Sequence, residues 1–149
     1  MTDLPIEGYA SLFWAKDLND DVVAAGAFDI SLARTPPGRV RMLLQHDPNE
    51  PIGVWDAIAP DTKGLFVRGR IIDATPAGRM ALALAKAGAM DGLSIGFRAV
   101  KARAGEGGRL RVLTELDLWE ISLVTFPMLP GARFIVAADA SISNERDDK

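Results

Sequence analysis

No cysteine occurs in this chain of 149 residues, and histidine occurs once, as His46. Disulfide frameworks and thiolate metal cages are therefore excluded, and one imidazole cannot assemble a metal site alone. No apolar run approaches the roughly 18 residues of a membrane-spanning helix. The opening stretch MTDLPIEGYASLF carries neither the basic region nor the long apolar core of a secretory signal. These absences predict a soluble, intracellular chain with no membrane partner, no metal and no cofactor. Excess positive charge is also missing: the formal net charge is −3 and the pI is about 5.1. A broad electrostatic attraction to nucleic acid, which rests on clustered Lys and Arg, is thus not expected. Arg98, Lys101, Arg103, Arg109 and Arg111 do gather in one stretch, which reads as the solvated rim of a hairpin.

What is present points to a folded globule. Hydrophobic residues make up 48% and charged residues 25%, a balance that disordered chains do not have. A chain of this length forms about one domain and buries roughly two thirds of its unfolded surface. The expected domain covers residues 1–140, and the polar end SISNERDDK, 141–149, is expected to fray.

Gly and Pro punctuate short segments of β-forming residues. PIEGYASLF reads as a first strand, and DVVAAGAFDISLART as a short helix closed by Pro36, Pro37 and Gly38. VRMLLQH, IGVWDAIA and GLFVRGRII read as three further strands, the last two joined through the turn PDTKG. The clearest helix is TPAGRMALALAKAG, with Thr75 as cap, Pro76 in the first turn and Gly88 just past the end. LSIGFRAVKA then forms a hairpin with RLRVLTEL through the glycine cluster at 105–108, and DLWEISLVTF is the last strong strand. The fold class expected is mainly β with about two helices, an α+β chain closed into one barrel or curled sheet.

Three polar residues stand out within this pattern. Strand alternation puts Leu93, Ile95 and Phe97 on one face and Ser94, Gly96 and Arg98 on the other. Gly96 then removes a side chain beside Ser94 and leaves room for a substrate to approach the hydroxyl; the plainer alternative is a solvent-facing serine beside a glycine bulge. In DLWEISLV, Trp119, Ile121 and Leu123 share the apolar face while Glu120 and Ser122 share the other, as on the wet side of any sheet. Alternation groups His46 with Val40, Met42 and Leu44, so a core imidazole is an equal reading. One chemistry uses all three residue types. A serine hydroxyl becomes a nucleophile when a neighbouring base takes its proton, an imidazole suits that role near neutral pH, and a carboxylate fixes the imidazole's tautomer. Ser94 and His46 supply the first two groups. Glu120 leads the candidates for the acid, with Asp47, Asp91 and Asp117 in reserve.

In order along the chain, EGYASLF, DVVAAGAFDISL, MLLQHDPNEPIG, GLFVRGRI, GLSIGFRA and LWEISLVTFPMLPGA resemble the tailed-phage prohead proteases. These are capsid maturation proteases related in fold to herpesvirus assemblin. The resemblance covers roughly residues 5–136 and rests on the order and spacing of six short motifs. It implies a small β-barrel ringed by helices, with Ser94 as nucleophile and His46 as general base. Herpesvirus enzymes use a second histidine as the third member. This chain has none, and the acid of phage relatives falls on Glu120. The implied substrates are the capsid and scaffold proteins of an immature head, and then the protease itself. The implied setting is the procapsid in the host cytoplasm, with a homodimer by analogy with assemblin. A non-enzymatic capsid assembly or scaffold-binding protein of the same fold is the competing reading; it predicts that His46, Ser94 or Glu120 points away from the others.

Overall fold

β-branched and aliphatic residues recurring between turn formers build the sheet seen in the computed structural model, which describes residues 3–137. The polar segment 141–149 lies outside the described residues. In chain order the elements are β1 (Asp3–Leu12), β2 (Asp21–Val23), α1 (Asp29–Arg34), β3 (Arg41–Leu44), β4 (Asp47–Pro60), β5 (Gly64–Ile72), α2 (Pro76–Ala87), β6 (Gly92–Ala104), β7 (Arg111–Val124) and β8 (Phe134–Val136). The mainly-β expectation holds, and several element boundaries differ from it. Asp21–Val23 opens the segment read as a helix with a strand, because three buried residues there pair with Arg111–Leu113 of β7. Helix α1 is left with six residues. RLRVLTEL and DLWEISLV form one continuous strand, β7, since no Gly or Pro interrupts them. Finally a short β8, three residues long, follows the last strong strand.

β7 is the spine of the sheet. β6 pairs antiparallel along its length, while β2 and β3 share its other edge, both parallel to it, at Arg111–Leu113 and Glu120–Leu123. From β3 the sheet continues through β4, β5 and β1 to β8. It curls until its two ends meet. Gly92 at the start of β6 bridges Arg133 just before β8, Leu93 N–H donates to the Ala132 carbonyl at 2.9 Å, and Phe134 N–H donates to the Asp91 carbonyl at 2.9 Å. This contact covers the start of β6, where an unpaired edge would invite aggregation.

The core lies where the strands cross. Ile6, Leu65, Val67, Leu93, Ile121 and Leu123 have no exposed surface, and truncating one of them to Ala removes about 2–5 kcal/mol of stability. Trp55, also buried, donates its indole N–H to the Ile121 carbonyl at 3.2 Å, so its one polar atom is paired. Helix α2 is capped as its sequence predicts. The Thr75 hydroxyl accepts from Gly78 N–H at 3.0 Å, and Gly88 takes the left-handed conformation, φ 73°, that ends the helix.

Candidate active site

His46 stands on the turn between β3 and β4. Leu44 pairs with Asp47, leaving Gln45 and His46 as a two-residue connection whose φ angles are 53° and 62°. Two consecutive left-handed residues match the type I′ hairpin turn, which ordinarily uses Asn and Gly. The strand alternation that grouped His46 with Met42 and Leu44 therefore ends at Leu44. Instead of entering the core, the imidazole projects from the hairpin tip, with 42% of its side chain exposed.

Ser94 and Glu120 come from the neighbouring strands. Ser94 lies directly opposite Ser122, and Gly96 directly opposite Glu120, which puts the four residues on one face of the β6–β7 ladder. A bulge adjusts this face. The next pair after Gly96 and Glu120 is Phe97 with Leu118, so Trp119 is the extra residue. Leu118 consequently turns into the core while Trp119 is 57% exposed, contrary to the expectation that Trp119 shares the apolar face with Ile121 and Leu123. Nor is the opposite face wet: Ser122 is fully buried, Ser94 is 7% exposed and the Glu120 side chain 13%.

The three candidate side chains meet. His46 Nε2 lies 2.9 Å from Ser94 Oγ, and His46 Nδ1 lies 2.5 Å from Glu120 Oε2. A carboxylate on Nδ1 requires the proton on that nitrogen, which leaves Nε2 to accept from the serine hydroxyl. The Glu120 hydrogen bond raises the His46 pKa above its ordinary value and the carboxylate charge adds to this, while partial burial pulls the other way. The second carboxylate oxygen, Oε1, accepts from Ser122 Oγ at 2.7 Å. The reserve acids are engaged elsewhere: Asp47 accepts from Asn49 N–H, Asp91 pairs with Arg133, and Asp117 bonds the Trp119 indole and faces Arg98.

Gly96 creates space here, but not for a substrate. A Cβ at that position would meet the Glu120 side chain, with Cδ at 2.6 Å and Cγ at 2.7 Å. The missing side chain thus lets the carboxylate fold across β6 toward the imidazole. Room beside Ser94 lies instead in a cavity of about 160 Å³, lined by His46 and Ser94 with both apolar side chains, Leu12 and Phe97 among them, and polar ones, Asp17 and Asn19. Alternation put Ser122 beside Glu120 without showing that it would bond there. Gln45 gave no signal at all, since Gln-His is not a recognised turn pair. Among the described residues, no group of three or more His, Cys, Asp or Glu side chains converges as metal ligands do, and no helix is long and apolar enough to cross a membrane.

Known proteins share both the sequence pattern and the fold. The chain is 36% identical to the prohead protease of Enterobacteria phage HK97 over 123 residues, 81% of this chain and 54% of that protein. It is 31% identical to the prohead protease of Escherichia phage T5 over 134 residues, 89% of this chain and 62% of that one. The chain thus spans little more than half the length of these relatives. Among solved structures, the bacteriophage T4 capsid assembly protease superposes with a TM-score of 0.63 at 17% identity, covering 80% of each chain. KSHV protease, solved with a hexapeptide phosphonate inhibitor, superposes at 0.62 and 15% identity, covering 96% of this chain and 69% of that one. At such identities these likenesses establish a common fold, the assemblin-like curled sheet. The family model of the caudovirus prohead serine proteases matches residues 2–147, a span that takes in the hairpin tip, the β6–β7 ladder and the closure of the sheet, and the chain belongs to that family.

Proposed function

We propose that the chain is a serine endopeptidase that cleaves scaffold and capsid proteins, and itself, as a phage or phage-like procapsid matures. The observation that carries this reading is the imidazole of His46 held between Ser94 Oγ at 2.9 Å and Glu120 Oε2 at 2.5 Å. In the proposed reaction Ser94 Oγ attacks the scissile carbonyl carbon while His46 Nε2 takes the hydroxyl proton. The tetrahedral intermediate collapses, the C–N bond breaks, and His46 returns that proton to the departing amine. Water then attacks the acyl-enzyme, giving one proton to His46, which passes it back to Ser94 as the ester bond breaks. Glu120 holds the imidazole in the working tautomer and stabilises the imidazolium formed in each half-reaction. The raised pKa supports the role, since a more basic imidazole drives proton abstraction harder. The cavity beside Ser94 offers a substrate side chain a seat of mixed apolar and polar lining next to the scissile bond. A homodimer and the procapsid setting belong to the same proposal through the family likeness rather than through the site.

Co-expression with the neighbouring capsid and scaffold proteins, wild type against Ser94→Ala, tests the reading by intact mass. Fragments that appear with wild type and vanish with Ser94→Ala are the expected result, because removing the nucleophile costs about 10⁶ in turnover in the serine protease template. Identical masses in both, around assembled shells, would end the protease reading in favour of an assembly factor.

A further inference from the structure

We propose that Ser122 and Gln45 are positioning residues that register the His46 hairpin tip on β7, so that the imidazole meets Ser94 and Glu120 without a search. This rests on the protease reading above. The tip carries two non-glycine residues with positive φ, Gln45 and His46, a conformation disfavoured for L-residues that persists only where the surroundings over-determine it. Four hydrogen bonds to β7 and the residue after it do so. Gln45 N–H donates to the Leu123 carbonyl at 2.9 Å, and His46 N–H donates to Ser122 Oγ at 3.0 Å. The Gln45 side-chain amide donates to Thr125 Oγ1 at 2.7 Å and accepts from Thr125 N–H at 3.3 Å.

Ser122 is the junction. A hydroxyl has one proton, and here it goes to Glu120 Oε1 at 2.7 Å, while an oxygen lone pair takes the His46 amide. One fully buried oxygen therefore fixes both the backbone of His46 and the carboxylate that orients its ring. With Oε1 bonded to Ser122 and Oε2 to His46, the carboxylate cannot rotate away from the imidazole. Gln45 makes no hydrogen bond to Ser94 or Glu120. Its contribution is to the place of the turn, not to the reacting groups.

The single histidine makes the test direct, because imidazole signals of protein labelled with ¹⁵N-histidine all belong to His46. Wild type, Ser122→Ala and Gln45→Gly are compared without substrate by the Nδ1–H resonance and its exchange with water. They are compared again on a peptide carrying a cleavage site found by co-expression. For Ser122→Ala we expect kcat to fall about 10- to 100-fold, the size of one hydrogen bond to a charged group. KM should stay near wild type, and the Nδ1–H signal should broaden through faster exchange. Gln45→Gly separates positioning from folding, because glycine relaxes the left-handed backbone while deleting the side-chain clamp. Its melting temperature should hold or rise while kcat falls about 3- to 100-fold, the size of the two neutral hydrogen bonds to Thr125 that it deletes. Thr125→Val, which loses the hydroxyl bond but keeps the backbone N–H, should reduce kcat less, about 3- to 10-fold, and the double variant should cost no more than Gln45→Gly alone.

Wild-type kcat and an unchanged Nδ1–H signal in both variants would overturn the inference, and so would a reduced kcat with an unmoved ring signal. If Ser122→Ala does not fold, Gln45→Gly decides. Failure of the protease reading is separable: it shows as identical product masses with wild type and Ser94→Ala, whereas the ring measurement needs no turnover.

Discussion

The β6–β7 ladder has two halves built from the same antiparallel pairing and put to different uses. In the half formed by Gly92–Gly96 and Glu120–Val124, β3 lies along the other edge of β7 and the approach to β8 along β6. Polar groups there are shielded and partnered: among the described residues no buried side-chain nitrogen or oxygen lacks a hydrogen bond. In the half from Arg98 and Asp117 outward, β6 is largely exposed, and its own charged side chains lie mostly in solvent as they face β7, Arg98 with Asp117 at 3.9 Å and Lys101 with Glu115 at 3.7 Å. A surface pair of this kind is worth about 0–1 kcal/mol because water and salt compete for both charges. A shielded hydrogen bond to a charge is worth about 1.5–3 kcal/mol. The flanking elements, more than the ladder itself, determine whether a polar residue serves solubility or can serve chemistry.

Substitutions in each half test that contrast. The largest effect is expected from Glu120→Gln, with a loss of up to about 10⁴ in kcat, as for an orienting acid in the serine protease template. A pH profile adds a second readout. His46 must be neutral to accept the serine proton, so wild-type kcat/KM rises as pH increases through the raised imidazole pKa. Glutamine removes the charge and the carboxylate hydrogen bond that raise it, so the midpoint should move down in pH; an unmoved midpoint would remove Glu120 from the site. Gly96→Ala comes next. Its methyl group occupies the volume of the Glu120 side chain, and a displacement of about 1 Å costs around 10² in kcat. A stability loss of about 1–3 kcal/mol should accompany it in chemical denaturation. In the exposed half, Lys101→Ala should leave kcat unchanged and shift stability by no more than about 0.5 kcal/mol. A larger loss there would show that the two halves are coupled.

Part of this site was legible in the letters. Alternation correctly set Ser94 with Gly96, and Glu120 with Ser122, because side-chain direction in a strand is a local property repeating every two residues. The helix 76–87 was legible for a similar reason, since its cap, first-turn proline and terminal glycine act within a few residues of one another. Trp119 defeated the same rule. A bulge depends on the partner strand, and it turned an expected core side chain outward. The three-residue strands β2 and β8 are too short to show a period. Gly96 was read as leaving room beside the serine, yet the occupant of that room, Glu120, comes from the neighbouring strand.

His46 marks the boundary most clearly. Its sequence neighbours point it into the core with Met42 and Leu44; the turn that takes it out of the strand uses a backbone conformation which Gln-His does not announce. His46 and Ser94 lie 48 positions apart, and His46 and Glu120 lie 74 apart. Residue type, local alternation and helix capping follow from interactions between near neighbours, and these the sequence expresses directly. The convergence of imidazole, hydroxyl and carboxylate depends on β3 lying parallel and β6 antiparallel to the same strand. Such non-local pairings form only when the chain closes long loops and buries their apolar faces together.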